Sequence, residues 1–327
     1  MKTRKLGASQ LEVSAIGLGC MGMTHSFGVV ADTKEMVQLM HDAVDRGVTL
    51  FDTAEIYGPY NNEELVGKGI AGMRDKIVLA TKCGVYMRNG KQEVDNDPAL
   101  LRQSLEGSLK RLGTDHIDLY YLHRYAAVVP IEEIAELMLQ FKKEGKILNW
   151  GLSEAGIQTI RRAHAVFPLT AVESEYSMMW REPEKELLSV LEELNIGFVP
   201  FAPLCKGFLT GTLPADTKFG PGDSRANSPR FQPENMAANQ PVVEYIRSLA
   251  SDFGVKPTQI ALAWLLNQKP FIVPIPGTKK LSRLEENIAA ADIVFTPEEL
   301  RQINEALAKF EIHGHRYNAA YAARAGK

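Results

Sequence analysis

Cysteine is scarce in this chain: Cys20, Cys83 and Cys205 are the only three in 327 residues, and none sits in a CxxC pair. An odd, scattered set excludes a disulfide framework and fits a reducing cytosol, so a cytoplasmic location is expected. The seven histidines (His25, His41, His116, His123, His164, His313 and His315) make no HExxH, and no Cys/His spacing suits zinc. No metal site is expected, and His313-Gly314-His315 reads as part of a solvated tail. An excess of one charge is missing too. The net charge of −3 leaves no broad electrostatic footprint for nucleic acid. No apolar run approaches the roughly 18 residues that a membrane span needs. The opening MKTRKLGASQ has basic residues but no apolar h-region, so no signal peptide is expected. No Ser/Gly/Pro linker and no strong internal repeat divides the sequence, so residues 1–327 are read as a single domain.

What is present is alternation of short apolar runs with helical periods. Residues 3–13 read as a β-hairpin around Gly7-Ala8-Ser9, followed by a candidate first strand at Ser14–Leu18. Met36, Val37, Met40, Ala43 and Val44 set a helical period from Asp32/Thr33 to Arg46. Strands are expected at Thr49–Asp52, Lys76–Lys82, 117–123, 147–153, 170–176, 196–202 and Phe271–Ile275. Helices are expected at Asn62–Gly69, Pro98–Leu112, 131–144, 155–165, 182–194 and from Ser282. About eight strands alternating with helices of 10–15 residues is the pattern of βαβ units on a parallel sheet. Cys205–Gln240, rich in Gly, Pro, Asn and Asp, is the one long irregular stretch, and a loop that long is expected to be a lid or cofactor clasp. Thr296-Pro297-Glu298-Glu299 opens an extra helix with a capping box, and the tail after Phe310 is only weakly periodic.

An open doubly wound sheet competes with an eight-stranded barrel, because Gly17-Leu18-Gly19-Cys20-Met21-Gly22 spells GxGxxG after a strand. That motif works only where its last glycines open a helix. Here Met23–Asp32 intervene, so the match is a decoy, and its glycines are expected to let a loop lie close to a ligand. The barrel is the reading that remains.

Three strands end in chemistry. LFDTAEIYG (50–58) offers Asp52 and Tyr57, IVLATK (77–82) ends at Lys82, and IDLYYLH (117–123) ends at His123. A phenol, with a pKa of about 10, is a poor acid at neutral pH. A nearby ammonium favours the phenolate, so Lys82 is expected to lower the Tyr57 pKa, with Asp52 holding Lys82 by an ion pair. His123 could hydrogen-bond a substrate oxygen or relay a proton. Such a set suits proton delivery to an oxygen that gains negative charge, as when hydride adds to a carbonyl. Each residue taken alone also fits a blander role: Asp52-Thr53 a turn or cap, Lys82 a solvated charge, His123 a loop residue. Position favours the site, because the C-terminal ends of barrel strands share the face where active sites lie.

LFDTAEIYG, IVLATKCG, IDLYYLHR, GLSE, ESEYS, PFAPLCKGFLTG and PIPGTKKLSRLEEN, taken together and in order from residue 16 to about 290, resemble the aldo-keto reductases. GLGCMGM and EYSMMWREPE are most similar to the pyridoxal-reductase and plant auxin-induced-protein branch. The resemblance implies a (β/α)₈ barrel with an N-terminal β-hairpin, a long loop after strand 7 and an extra C-terminal helix. It implies NADPH held across the C-terminal mouth without a Rossmann fold, and reduction of an aldehyde or ketone by hydride from nicotinamide C4. Tyr57 would be the general acid, Lys82 its modulator, Asp52 the partner of Lys82 and His123 the substrate orienter. Ser153 and Glu173 match the positions that hold the carboxamide, and Phe201 matches the ring that stacks on nicotinamide. Ala202, Pro203, Leu204, Lys206 and Gly207 match the pyrophosphate clasp, and Gly22 and Met23 also fall among the cofactor positions.

Gly277-Thr278-Lys279-Lys280 with Arg283 near a helix start also reads as a phosphate site on its own chemistry, since donors and positive charge gather there. By the resemblance Thr278, Lys279 and Arg283 would meet the 2′-phosphate, favouring NADPH over NADH, with Gly277 among the cofactor positions and Glu286 and Asn287 toward the adenine. His25, Tyr57, Tyr86, His123, Arg124 and Trp180, beside Met23, are the expected substrate pocket. Pyridoxal, aromatic aldehydes, methylglyoxal-like compounds and sugar-derived carbonyls all fit it. Many relatives carry Gln at the position of Glu173 and Asn at that of Glu154. An ionised Glu173 accepts from a carboxamide NH₂ but cannot donate, and it is expected to favour oxidised, positively charged nicotinamide. The runner-up function with the same fold is that of the cytosolic β-subunits of potassium channels, which bind NADPH and regulate a membrane partner. A monomer is the family default, and neither nucleic acid nor a membrane is an expected partner.

Overall fold

Side chains of successive strand residues point to opposite faces, and that rule decides what this molecule puts inside. The computed structural model describes residues 1–214, 216–220 and 222–327. A hairpin of β1 (Thr3–Leu6) and β2 (Leu11–Ser14) comes first. The barrel strands are β3 (Leu18–Gly19), β4 (Leu50–Asp52), β5 (Val78–Cys83), β8 (Ile117–Leu122), β9 (Ile147–Ser153), β10 (Ala171–Glu175) and β11 (Gly197–Phe201). They lie in the order β11-β10-β9-β8-β5-β4-β3, all parallel. A second hairpin, β6 (Val85–Arg88) with β7 (Lys91–Val94), stands on the rim after β5.

Residues 271–277 close the ring as its eighth member. Val273 and Ile275 donate their N–H to Phe198 and Pro200 carbonyls at 2.8 and 3.1 Å, and Pro274 and Pro276 accept from Gly17 and Gly19 at 3.0 and 3.3 Å. Pro274 and Pro276 have no N–H to return, so this segment bridges its neighbours without forming a regular strand. The expected strand Phe271–Ile275 is therefore present in place but not in full ladder. Ser14–Leu18 also needs correcting: β2 takes Ser14, and the first barrel strand is only Leu18–Gly19. Gly17 and Gly19 of the GxGxxG run serve this closure, while Gly22 faces the Phe27 ring. A Cβ on Gly19 would lie 2.7 Å from the Ile275 carbonyl oxygen, so the close neighbour is the protein's own backbone and not a ligand. After them come a 3-10 turn at Met21–Met23 and a loop, and the next helix starts only at Thr33, capped by Asp32.

Period two stacks the interior in layers. Leu50, Ala80, Leu119, Ala171, Val199 and Val273 fill the lower barrel, and Leu6 and Val13 of the first hairpin plug its N-terminal end. Two residues further along each strand, the same inward positions become Asp52, Lys82, Tyr121, Glu173 and Phe201. The outward positions Phe51, Leu79, Tyr120, Leu122, Trp150 and Val172 pack under the helices Thr33–Asp45, Asn61–Ile70, Pro98–Leu112, Ile131–Lys143 and Ile157–Val166.

Several elements differ from expectation. Helix 182–194 is a 3-10 turn at Glu182–Glu184 and a helix at Leu187–Glu193. The irregular stretch 205–240 contains 3-10 turns and a short helix, Pro233–Ala238, with residues 215 and 221 outside the described residues. Two long helices, Gln240–Asp252 and Pro257–Gln268, precede the closing segment. The extra helix is Pro297–Leu307, with the capping box between Thr296 and Glu299. No helix among the described residues is long and apolar enough to cross a membrane.

Candidate active site

Lys82 is the centre of the upper layer, fully buried, with more neighbours than hydrogens. Its Nζ donates to Asp52 Oδ1 at 2.5 Å, to the Thr53 carbonyl at 2.9 Å and to Tyr57 Oη at 3.5 Å. An ammonium has three N–H groups, and these three acceptors use them all. Glu173 Oε2 lies 3.4 Å away, inside the field of the ammonium, yet has no hydrogen bond. Burial works against the Lys82 charge, but Asp52, Glu173 and Tyr57 outweigh it and hold the ammonium well above its ordinary pKa.

The loop after β4 carries Tyr57 over this layer. Its ring meets His123 edge-on at 5.9 Å and lies 5.2 Å from Lys82 Nζ. The expected drop in its pKa is not found. Burial pushes the phenol up to about 12; Lys82 pulls it down, but Asp52 and Glu173 push the other way. Lys82 therefore limits a rise instead of producing a fall. His123 is held well below its ordinary value by burial, Arg124 and Lys82, so the imidazole is neutral. Its buried Nδ1 has no partner, and neither has Asp52 Oδ2. Tyr121 Oη, in the same layer, is a fourth. Buried polar atoms normally find partners, and four orphans around one ammonium mark a place built to receive something.

Ser153, at the end of β9, accepts from Arg124 Nη1 at 2.9 Å and stands in register with Glu173. Glu154, an acid where many relatives carry Asn, follows Ser153 in the chain. Its φ is +56°, and its carboxylate accepts from the Glu175 N–H and from Arg316, so it pins the tail instead of facing a cofactor. Tyr86 shares its hydroxyl with Ser104 Oγ at 3.0 Å, directed to the helix Pro98–Leu112 and away from Tyr57. His25 is exposed on the loop after β3. Trp180 lies under the tail, with Arg316 and Arg230 at 4.7 and 5.6 Å from its ring.

On the other side of the mouth, Ala202, Cys205, Lys206 and Gly207 all have positive φ. Backbone that turns this way presents a concave array suited to anions. The long loop reaches across to the loop after β3: Ser224 N–H donates to the Ser26 carbonyl at 2.9 Å, and Arg225 lies 5.4 Å from the Phe27 ring and 4.5 Å from the Phe219 ring. Arg225 Nη1 also donates to the Lys206 carbonyl at 3.2 Å. Lys279 joins the same bridge, donating to the Phe27 and Val29 carbonyls at 3.1 and 2.9 Å. Thr278 Oγ1 accepts from the Lys280 N–H, and the helix Leu281–Ala289 begins with no side-chain cap, with half-buried Arg283 in its first turn. In that helix, Glu286 is paired with Lys256 at 3.0 Å and Asn287 is buried.

Parts of the lid and tail are expected from the sequence to line the pocket, but not which residues of them do so. Asn239 and His313 exchange two bonds, Tyr317 Oη accepts from Arg124 at 3.3 Å, and Tyr321 and Arg324 reach Gln92 on β7. Arg230, from the long loop, is fully buried against Glu175 at 3.2 Å. The only signal available was the pair Arg316-Tyr317 in an otherwise featureless tail.

The model of the aldo/keto reductase family matches residues 15–308. Among solved structures, a glycerol dehydrogenase from Gluconobacter oxydans shares 28% identity over 97% of this chain and 98% of its own, with a TM-score of 0.87. An aldo/keto reductase from Klebsiella pneumoniae, solved with NADP and acetate, shares 26% over 97% and 99%, with a TM-score of 0.73. A thermostable aldo-keto reductase, solved with the inhibitor epalrestat, shares 28% over 93% and 99%, also at 0.73. With this pattern spanning the barrel and the layer around Lys82, the chain belongs to the aldo/keto reductase family.

Proposed function

We propose that this protein is an NADPH-dependent oxidoreductase that reduces small aldehydes or ketones to alcohols, with Tyr57 as the proton donor. The observation that carries the reading is a single buried ammonium, Lys82, touching a buried carboxylate and the phenol of Tyr57 with orphaned polar atoms around them. The residues present fit the cofactor. The left-handed run at 202–207 suits a pyrophosphate, Ser153 and Glu173 offer polar atoms for a carboxamide, and Phe201 offers a ring. The uncapped helix start with Lys280 and Arg283 suits a 2′-phosphate. A relative from Klebsiella pneumoniae was solved with NADP, which supports the same assignment.

When bound, NADPH supplies the hydride. The chain's own residues manage the proton. With its pKa near 12, Tyr57 carries its proton at neutral pH, ready to give it to an oxygen becoming an alkoxide, which is far more basic than a phenolate. Lys82 then faces the phenolate at 3.5 Å and stabilises it until solvent reprotonates it. Asp52 fixes Lys82 from the opposite side. Neutral His123, edge-on to Tyr57, offers a ring nitrogen to orient the same carbonyl oxygen.

The test is loss of NADPH absorbance against a panel of aldehydes, beside Tyr57→Phe. Reduction by the wild type with the mutant nearly silent is the expected result. A wild type that reduces nothing, or a mutant with full activity, removes the assignment.

A further inference from the structure

Glu173 takes no part in the proton transfer, serving there only as a polar partner for the carboxamide, and its position is unusual. Asp52 and Glu173 both face one ammonium inside a barrel, where an uncompensated charge is costly. Lys82 and Asp52 already cancel. A second ionised carboxylate puts two buried negative charges on one buried ammonium, which half-buried Arg124, bonded to Ser153, offsets only in part. The three hydrogens of Lys82 are committed to Asp52, Thr53 and Tyr57. The cheapest arrangement adds one proton, and geometry says where it sits: on the carboxyl that lacks a hydrogen bond, Glu173, not on the one bound at 2.5 Å.

We propose that Glu173 holds this proton in the free enzyme, and that binding of the oxidised, positively charged nicotinamide nucleotide expels it to solvent while binding of the reduced form leaves it in place. This rests on the cofactor reading above, with the carboxamide held at Ser153 and Glu173. A neutral Glu173 can both donate and accept, as an amide does, so the reduced cofactor finds a satisfied partner. A positive ring beside it restores the need for a buried counter-charge, and Glu173 supplies it by losing its proton. The chain thereby gains a pH-dependent choice between the two cofactor forms.

Of the groups around Glu173 only Asp52, from β4, competes for this proton. Burial raises its carboxyl too, but the charge and the 2.5 Å bond of Lys82 pull it back down, as does its contact with Glu173. Tyr57, from the loop after β4, is a neutral phenol. From β5 comes Lys82 itself. From β8 come Tyr121, raised well above its ordinary value by burial, Glu173 and Asp52, and then neutral His123 and Arg124. On β9 and β11 the neighbours in register are Ser153 and Val199, which do not titrate near neutrality. Burial first, and then the charge of Asp52, push the Glu173 carboxyl up to about 8, with Lys82 opposing. Its titration therefore falls where a cell or a cuvette samples it.

Dissociation constants for NADP⁺ and NADPH, measured by calorimetry from about pH 6 to 9 in two buffers of different ionisation enthalpy, test this directly. Titration of the cofactor phosphates is common to both nucleotides and cancels in the ratio. In the wild type the ratio Kd(NADP⁺)/Kd(NADPH) falls by up to about tenfold per pH unit as pH rises toward 8, then levels, because one proton is lost on binding. Near pH 7 the buffer dependence shows close to one proton released with NADP⁺ and none with NADPH. In Glu173→Gln the ratio is flat and no proton is released. A flat wild-type ratio without proton release overturns the proposal, as does a Gln variant that keeps the slope. The wild-type data decide alone if that variant does not fold. If neither nucleotide binds at any pH, the cofactor reading itself falls, an outcome distinct from two nucleotides that bind with a constant ratio.

Discussion

Inside the barrel Asp52 and Glu173 share Lys82; outside it, between β5 and the helices Asn61–Ile70 and Pro98–Leu112, Glu55 and Glu63 share Arg111. Both are pairs of buried acids on one cation. Asp52, Glu55, Glu63 and Lys82 come from the stretch around β4 and β5, completed by Glu173 of β10 inside and by Arg111 of the helix Pro98–Leu112 outside. The outer set is complete. Arg111 Nε donates to Glu63 Oε2 at 2.7 Å, Thr81 Oγ1 to Glu63 Oε1 at 2.6 Å and Ser104 Oγ to Glu55 Oε1 at 3.0 Å. None of its side-chain atoms is among the buried orphans, whereas the inner set leaves Asp52 Oδ2 and Glu173 Oε2 unpaired. Burial and charge are therefore poor guides to a site in this molecule. Unfinished hydrogen bonding separates the pair that holds the fold from the pair that faces a reaction.

Mutations can break that comparison or sharpen it. The largest effect belongs to Tyr57→Phe, which removes the general acid from the inner set alone. It lowers kcat/KM for aldehyde reduction by about 10²–10⁴-fold in steady-state assays while nucleotide binding persists. Next come Lys82→Met and Arg111→Met, each of which strands two buried acids and costs about 3–5 kcal/mol in urea unfolding at neutral pH. If the sets differ as described, Lys82→Met also abolishes turnover, and Arg111→Met leaves the dissociation constant for NADPH unchanged. A loss of nucleotide affinity in Arg111→Met refutes the division.

Glu55 gives a smaller effect with a definite sign. Burial is the main cause that lifts its carboxyl from 4.5 to about 7, with Ser104 opposing. Below 4.5 the folded and unfolded chains are both protonated. Between 4.5 and 7 the folded chain keeps a proton that the unfolded chain has released, so stability falls as pH rises, and above 7 it is level. Urea midpoints across that window should show this slope in the wild type and lose it in Glu55→Gln. The smallest effect is at Arg301, on the exposed face of Pro297–Leu307, paired with Glu298 and Glu305. Arg301→Ala leaves the urea midpoint nearly unchanged in the same assay.

Much of the inner set was legible in the sequence because period two and the strand ends place it. Once IVLATK and IDLYYLH are strands of a closed barrel, Lys82 and His123 must reach the same mouth as Asp52. The protonation of the layer was not legible, since it depends on which acceptors take the three hydrogens of Lys82. The bond between Arg316 and Glu154 joins residues 162 positions apart, and no local pattern announces it. Helix Pro257–Gln268 escaped for another reason. Ile260 through Leu266 are all buried, so it is apolar all round and shows no helical period. The β6–β7 hairpin did have a signal, Asn89-Gly90, with φ of +51° and +74°, the pair that a tight two-residue turn prefers.

The prolines of the closing segment bear on how the ring comes apart. Every other joint of the barrel is a run of parallel ladder, but at residues 271–277 the segment accepts from Gly17 and Gly19 and donates nothing back from 274 or 276. A joint with half its stitches opens with less free energy than the rest, so fluctuations of the ring concentrate there. Gly277–Lys280 continues directly from that joint, and residues 202–207 continue from the strand on its other side. A nucleotide gripped by both, as proposed above, would tie the closing segment to β11 and leave the joint to β3 as the place where the ring still opens. Its arrival would be registered in slower amide exchange at Val273 and Ile275, with Gly17 and Gly19 less protected.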